Sequence, residues 1–148
     1  MRASELPEAL QEKLFGKVLR PAKKRINVKC IEDTFAFQCT THEFPLPKRE
    51  HLFAQEFGRL WRLDFAWPFW KVAVEIEGLT AVQARDGSIL AGGRHASFQG
   101  FRQDCEKYAR AAILGWSVLR FEKDLVNSGA AVAMTEEMLK AKGWRATK

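Results

Sequence analysis

RLDFAWPFWKVAVEIEG, residues 62–78, sets Asp64, Glu75 and Glu77 into two apolar runs joined across Pro68. The second run alternates with the two-residue period of a β-strand: Val72, Val74 and Ile76 point one way, Ala73, Glu75 and Glu77 the other. In the first run Leu63 and Phe65 share a face and Arg62 and Asp64 share the opposite one. Pairing the two strands back on each other puts Asp64 opposite or diagonal to the Ala73–Glu75 region. Two readings of these acids follow. Glu75 and Glu77 line the wet face of an antiparallel sheet, or the acids converge on one cation. Trp61, Trp67, Phe69 and Trp70 flank the segment, which argues against a surface ribbon. Two like charges about 4 Å apart repel by about 4 kcal/mol at an effective dielectric near 20, and a divalent ion would remove that repulsion. Oxygen ligands alone suit Mg²⁺, with Mn²⁺ as a substitute.

Working outward, KREHLFAQEFGRLWRLDFAW (48–67) reads as strands at about 49–56 and 59–66 turning near Gly58, and the third strand runs from about 70 to 77. Upstream, residues 31–42 fit two patterns: Phe35 and Phe37 alternate like a strand, whereas Ile31, Phe35 and Cys39 repeat like a helix. FPLP (44–47) imposes an extended connection. Downstream, 79–97 reads as a loop holding three glycines. A helix is expected over about 98–114, with Phe101, Cys105, Tyr108, Ala109 and Ala112 as its apolar face and Gln103, Lys107 and Arg110 away from it. Gly115 closes it. WSVLRF (116–121) is a fourth strand, and a last helix spans roughly 130–142. The fold class is therefore α/β, a central mixed four-stranded sheet flanked by helices. One domain covers 1–148: a basic N-terminal helix and connection (1–30), a core (49–126) and a C-terminal helix (127–148).

The bulk properties narrow the chemistry. The chain has 148 residues and a formal charge of +6, which leans towards an anionic partner. Its first helix, SELPEALQEKLFGKVLRP, carries the stripe Leu6, Leu10, Leu14 and Val18. The following AKKRINVKC places Lys23, Lys24 and Arg25 together without an acid, either as a solvated connection or as phosphate contacts. Cys30, Cys39 and Cys105 share no C-x-x-C spacing, so neither a disulfide framework nor a zinc ribbon is expected. There is no apolar signal region at the start and no run long enough to span a bilayer, so a cytoplasmic protein without a membrane partner is expected.

D-x₁₀-E-x-E on adjacent strands, followed by a helix and one more strand, resembles the PD-(D/E)xK nuclease superfamily, the restriction-endonuclease-like fold. More narrowly, WRLDFAWP, VAVEIEG, GGRH, GFRQDCEKY and GWSVLRF in that order are similar to small phage and bacterial endonucleases of the very-short-patch-repair and DUF559 kind. The match runs from about Gln38 to Val126. The resemblance implies that Asp64 and Glu75 are metal ligands and that the Ile76 carbonyl completes the shell. Glu77 stands where the superfamily usually has lysine; some restriction endonucleases also carry glutamate there. Leu63 replaces a proline that is often absent. Glu50 matches an acid near the first strand, either an accessory ligand or a surface glutamate.

The chemistry implied is Mg²⁺-dependent hydrolysis of DNA phosphodiester bonds in a bacterial or phage-infected cytoplasm, on mismatched, branched or plain duplex DNA, with a place in repair or recombination. Glu77 would bind the ion or orient the attacking water. Lys107 is the candidate for the displaced lysine, against the alternative of an exposed helical lysine beside Gln103 or Asp104. Arg94 and His95 follow Gly92 and Gly93, whose bare backbone lets a phosphate approach. His95 is then a general base, a phosphate donor or a ligand. Arg120 reaches a phosphate or forms a structural ion pair. Enzymes of branched DNA act as symmetric dimers, which leaves a homodimer open; the stripe on the first helix is that interface or a cover for the core. The alternatives from other classes are a DNA-binding module that keeps the fold without catalysis, and a basic protein–protein adaptor.

Overall fold

The computed structural model describes residues 28–78, 80–83, 89–92 and 98–147. The expected N-terminal helix, Lys23, Lys24, Arg25, Arg94 and His95 lie outside the described residues. The order is α1 (Val28–Thr41), β1 (Lys48–Leu52), a 3₁₀ turn (Gln55–Phe57), β2 (Arg62–Trp67), β3 (Val72–Ile76), β4 (Thr80–Gln83), β5 (Ile89–Gly92), α2 (Phe98–Ile113), β6 (Ser117–Phe121), α3 (Lys123–Asn127) and α4 (Ala130–Ala141). A four-stranded mixed sheet in the order β1-β2-β3-β6 forms the centre. β1, β2 and β3 pair antiparallel, and β6 runs parallel to β3. Parallel neighbours need a crossover, and α2 supplies it. The architecture is the expected α/β one.

The ambiguous segment 31–42 is helical. Ile31, Phe35 and Cys39, spaced by four, are all buried, while Phe37 is exposed. Phe35 decides the matter, because its ring meets Phe65 of β2 edge-on at 4.8 Å and lies 6.3 Å from Phe121 of β6. A strand would have turned Phe37 inward with it. The two prolines then carry the chain across the sheet, where the Trp67 indole N–H donates to the Pro45 carbonyl at 2.5 Å.

β3 is buried at every residue, so it is the central strand with both faces covered. Val72, Val74 and Ile76 join Phe65, α1 and α4 in one apolar cluster. Ala73 faces the other way and packs with Ala66, Ala111 of α2 and Trp116. Leu63 belongs to this second cluster too, so it does not share the environment of Phe65. α4 closes the first face. Gly143, at φ 99°, reverses the chain after it, and the Trp144 N–H returns to the Leu139 carbonyl at 3.0 Å.

Two expectations need correction. The strand expected over 49–56 ends at Leu52, and the 3₁₀ turn takes up the rest before Gly58 at φ 68°. Residues 79–97 are not simply a loop. β4 and β5 form an antiparallel ribbon with Ala81 opposite Ala91 and Val82 opposite Leu90. Five residues separate the two runs, and no alternation of polar and apolar residues marks either one.

Phe35 fills the space between α1 and the sheet, so Phe35→Ala leaves a cavity there. The expected loss is about 3–5 kcal/mol of folding free energy, read as a lower urea midpoint with an unchanged slope.

Candidate functional site

Asp64 stands where β2 and β3 part. The strand pairing runs Trp67–Val72, Ala66–Ala73 and Phe65–Val74, and one further step sets Asp64 across from Glu75. There the Asp64 carboxylate replaces a strand partner: its Oδ2 accepts the Ile76 N–H at 2.8 Å. On the other side, Arg49 opposite Phe65 and His51 opposite Leu63 bracket Glu50 across from Asp64. Glu75 in turn pairs with Arg120 of β6. A row of four charged side chains thus crosses the sheet on the face that α2 covers. Glu50 adopts φ 49°, a left-handed backbone unusual for a residue with a side chain.

The lid over this row is α2, and its orientation differs from the expected one. Ala111 is the buried residue of the helix, and Lys107, one turn earlier, is largely buried with it. Phe101, Cys105, Ala109 and Ala112, expected to face inward, are exposed. A small residue at 111 lets the helix approach the sheet closely, and Glu75 beneath draws in Lys107. The Lys107 ammonium donates to Glu75 Oε1 at 2.7 Å. Lys107 therefore lines the cleft beside Glu75 and is not an exposed helical lysine.

Glu75 is only 8% exposed. Burial is the main cause that raises its pKa, the Asp64 charge adds to it, and the Lys107 pair only partly opposes them, leaving a value of about 7. Asp64 is also raised, chiefly by burial, with the Ile76 N–H and Lys107 opposing. Glu77 turns towards β6. Arg120 Nε donates to its Oε1 at 2.5 Å, and the Tyr108 hydroxyl lies 3.5 Å from the same oxygen. Arg120 also stacks on the Tyr108 ring, 4.4 Å from its centroid. For Arg120 the structural ion pair is what the chain forms.

Glu50, Asp64, Glu75 and Lys107 line one cleft of about 350 Å³, with Trp61 and Gln103 at its walls. Glu77 lines a neighbouring cavity instead. Among the described residues, no three His, Cys, Asp or Glu side chains come together as a group able to hold a metal ion. The expected three-acid set of Asp64, Glu75 and Glu77 is therefore not assembled, because Arg120 holds Glu77. What fits a hard cation is the facing pair Asp64 and Glu75. Both are carboxylates with raised pKa values, burial being the main cause for each, and the Asp64 charge adds to the rise at Glu75, so a positive charge between them relieves the pair. The Ile76 N–H is committed to Asp64, which fixes the backbone that presents the Ile76 carbonyl expected as a ligand.

Sequence reasoning missed Trp61, Gln103 and Tyr108 as parts of the site. The spacing Asp104, Lys107, Ala111 was the available signal, but the larger side chains at 101, 105 and 108 outweigh it in any hydrophobic count.

No family model and no solved structure matches the chain. Two proteins of Mycobacterium tuberculosis, both named only as uncharacterized and from the strains CDC 1551 / Oshkosh and ATCC 25618 / H37Rv, are 28% identical to it over 78 residues. That stretch is 53% of this chain and 24% of each of theirs, so the chain matches about a quarter of those relatives' length. Among the described residues no helix is long and apolar enough to cross a membrane.

The raised Glu75 carboxyl makes stability depend on pH in a stated direction. Its ordinary value is 4.5 and its folded value about 7, so the folded state binds the proton more tightly. The stability this proton supplies is complete below pH 4.5 and lost as the pH rises to 7. In metal-free protein with EDTA, folding free energy should fall by about 3 kcal/mol across that window. Glu75→Gln should flatten the fall, measured as urea midpoints at both ends of the range.

Proposed function

We propose that the chain is a metal-dependent endonuclease of the PD-(D/E)xK, restriction-endonuclease-like kind that hydrolyses DNA phosphodiester bonds. One observation carries the reading. Asp64 and Glu75 face each other at the fork of two strands, inside one cleft, with the Lys107 ammonium 2.7 Å from Glu75. Supporting it is the strand order, in which an antiparallel three-stranded unit is followed by a helix and a parallel strand. The net charge of +6 suits a polyanionic substrate.

Asp64 and Glu75 would hold Mg²⁺, or Mn²⁺ in its place, and the ion would supply polarisation of a phosphate oxygen and an acidified water. The chain's own groups do the rest. The Ile76 N–H holds the Asp64 carboxylate in one orientation. α2 covers Glu75, which is 8% exposed. Lys107, on that helix, offers N–H donors to the charge that grows on the phosphate in the transition state. Arg120 keeps Glu77 away from Lys107, so this lysine has Glu75 as its partner in the ground state. Arg94 and His95, together with Lys23, Lys24 and Arg25, belong to the same proposal as phosphate contacts. Glu50 belongs to it as an accessory acid across from Asp64.

A DNA-binding module without catalysis is the second reading, favoured by the lack of a three-acid group among the described residues. The two separate in one experiment. A panel of branched, mismatched and plain duplex DNA is incubated with Mg²⁺ or Mn²⁺ and resolved on a denaturing gel. The nuclease cleaves at least one member, and Asp64→Asn lowers the rate by more than about 100-fold with DNA affinity retained. Lys107→Met lowers turnover and leaves affinity within about threefold. Uncleaved DNA bound with equal, salt-sensitive affinity with and without metal would replace the enzyme by the binding module.

A further inference from the structure

Beside the carboxylate cleft lies a second cavity of about 600 Å³, inside the range of roughly 300–1,000 Å³ that small ligands occupy. The two share Asp104 in their linings. Its apolar walls are Phe101, Cys105, Tyr108 and Leu125. Phe101 is 59% exposed, so the helix leaves an aromatic ring at this mouth that the fold itself does not bury. Phe98, one turn earlier on α2, is 84% exposed.

The polar lining is unsuited to a phosphate. Glu77 and Glu122 are both in it, and Arg120, the cation there, already donates to Glu77. Glu122 accepts the N–H groups of Asp124 and Leu125 at 2.7 and 2.9 Å, which fixes the orientation of its side chain at the start of α3. Aromatic walls with carboxylate acceptors suit a flat ring that carries N–H donors. That is the chemistry of a nucleobase, whose face stacks on an aromatic side chain and whose edge donates to a carboxylate. A base in a duplex presents neither its face nor its pairing edge, so only an unpaired one enters.

We infer that this cavity receives an unpaired base of the DNA strand whose phosphate lies in the neighbouring cleft, with the ring against the exposed face of Phe101. The inference rests on the nuclease reading for the choice of DNA and for the place of the phosphate. It makes the substrate a strand with at least one unpaired nucleotide next to the scissile bond.

The test uses the full chain without divalent cation, so that cleavage does not enter. Affinity is measured by fluorescence anisotropy for a duplex with one unpaired nucleotide and for the matching perfect duplex. 2-Aminopurine at the unpaired position reports its surroundings. The wild type should prefer the unpaired substrate by roughly tenfold, the scale of one aromatic–base stack, and quench the 2-aminopurine. Phe101→Ala, at an exposed position that the fold tolerates, should remove both the preference and the quenching. In a Cys30→Ser background, alkylation of Cys105 by N-ethylmaleimide should slow with the unpaired substrate and not with the duplex.

Equal affinity of the wild type for both DNAs, or a preference and quenching unchanged by Phe101→Ala, would overturn the inference. Cleavage of the panel described above would in that case leave the nuclease reading standing. Preference and quenching that depend on Phe101, in a chain that cleaves nothing, would uphold the cavity and remove the catalysis.

Discussion

Two carboxylates facing each other under a helix are the constraint on which the rest of this structure turns. Asp64 and Glu75 lie on paired strands at the centre of the sheet, and burial raises both pKa values. At an effective dielectric near 20, like charges about 4 Å apart repel by about 4 kcal/mol, comparable with much of a small domain's net stability. The fold meets that repulsion in three ways. Asp64 takes the Ile76 N–H, Lys107 bends to Glu75, and the strands separate at that point instead of continuing their ladder. Each arrangement leaves the acids in place and does not replace them with apolar side chains, which would pack a sheet interior at less expense. A retained, incompletely neutralised pair in a cleft is the arrangement that the proposed metal site requires.

The same balance explains how α2 sits. Its larger apolar residues are exposed, while Ala111 and the stem of Lys107 meet the sheet. Desolvating a lysine is unfavourable alone, but here Glu75 beneath stabilises the ammonium, while Ala111 packs with Ala66 and Ala73. The side of the helix left in solvent then supplies aromatic surface at the mouth of the second cavity. Charge placement in the sheet thus decides what the helix has left to offer a ligand.

Much of this was legible in the order of residues. The alternation through 72–77, the turn at Pro68 and the prolines at 45 and 47 define the strands that hold Asp64 and Glu75. The facing of those two acids follows from the register alone. The ribbon β4–β5 was not legible, because its strands are four residues each and carry no alternating pattern. Residues 31–42 satisfied two periods at once, and the ring contacts of Phe35 with Phe65 and Phe121 settle the choice. For α2 a hydrophobic count favoured the wrong face, because it ignores buried charge on the partner surface.

By itself, then, the sequence determined the α/β class and the central strands and set Asp64 opposite or diagonal to the Ala73–Glu75 region, since period and turn chemistry are local properties. Only the tertiary structure decided that Glu77 leaves the group for Arg120 and that Lys107 enters it. Those choices depend on which charges the neighbouring strand and helix bring within hydrogen-bonding distance, and such distances across elements do not exist until the chain has packed.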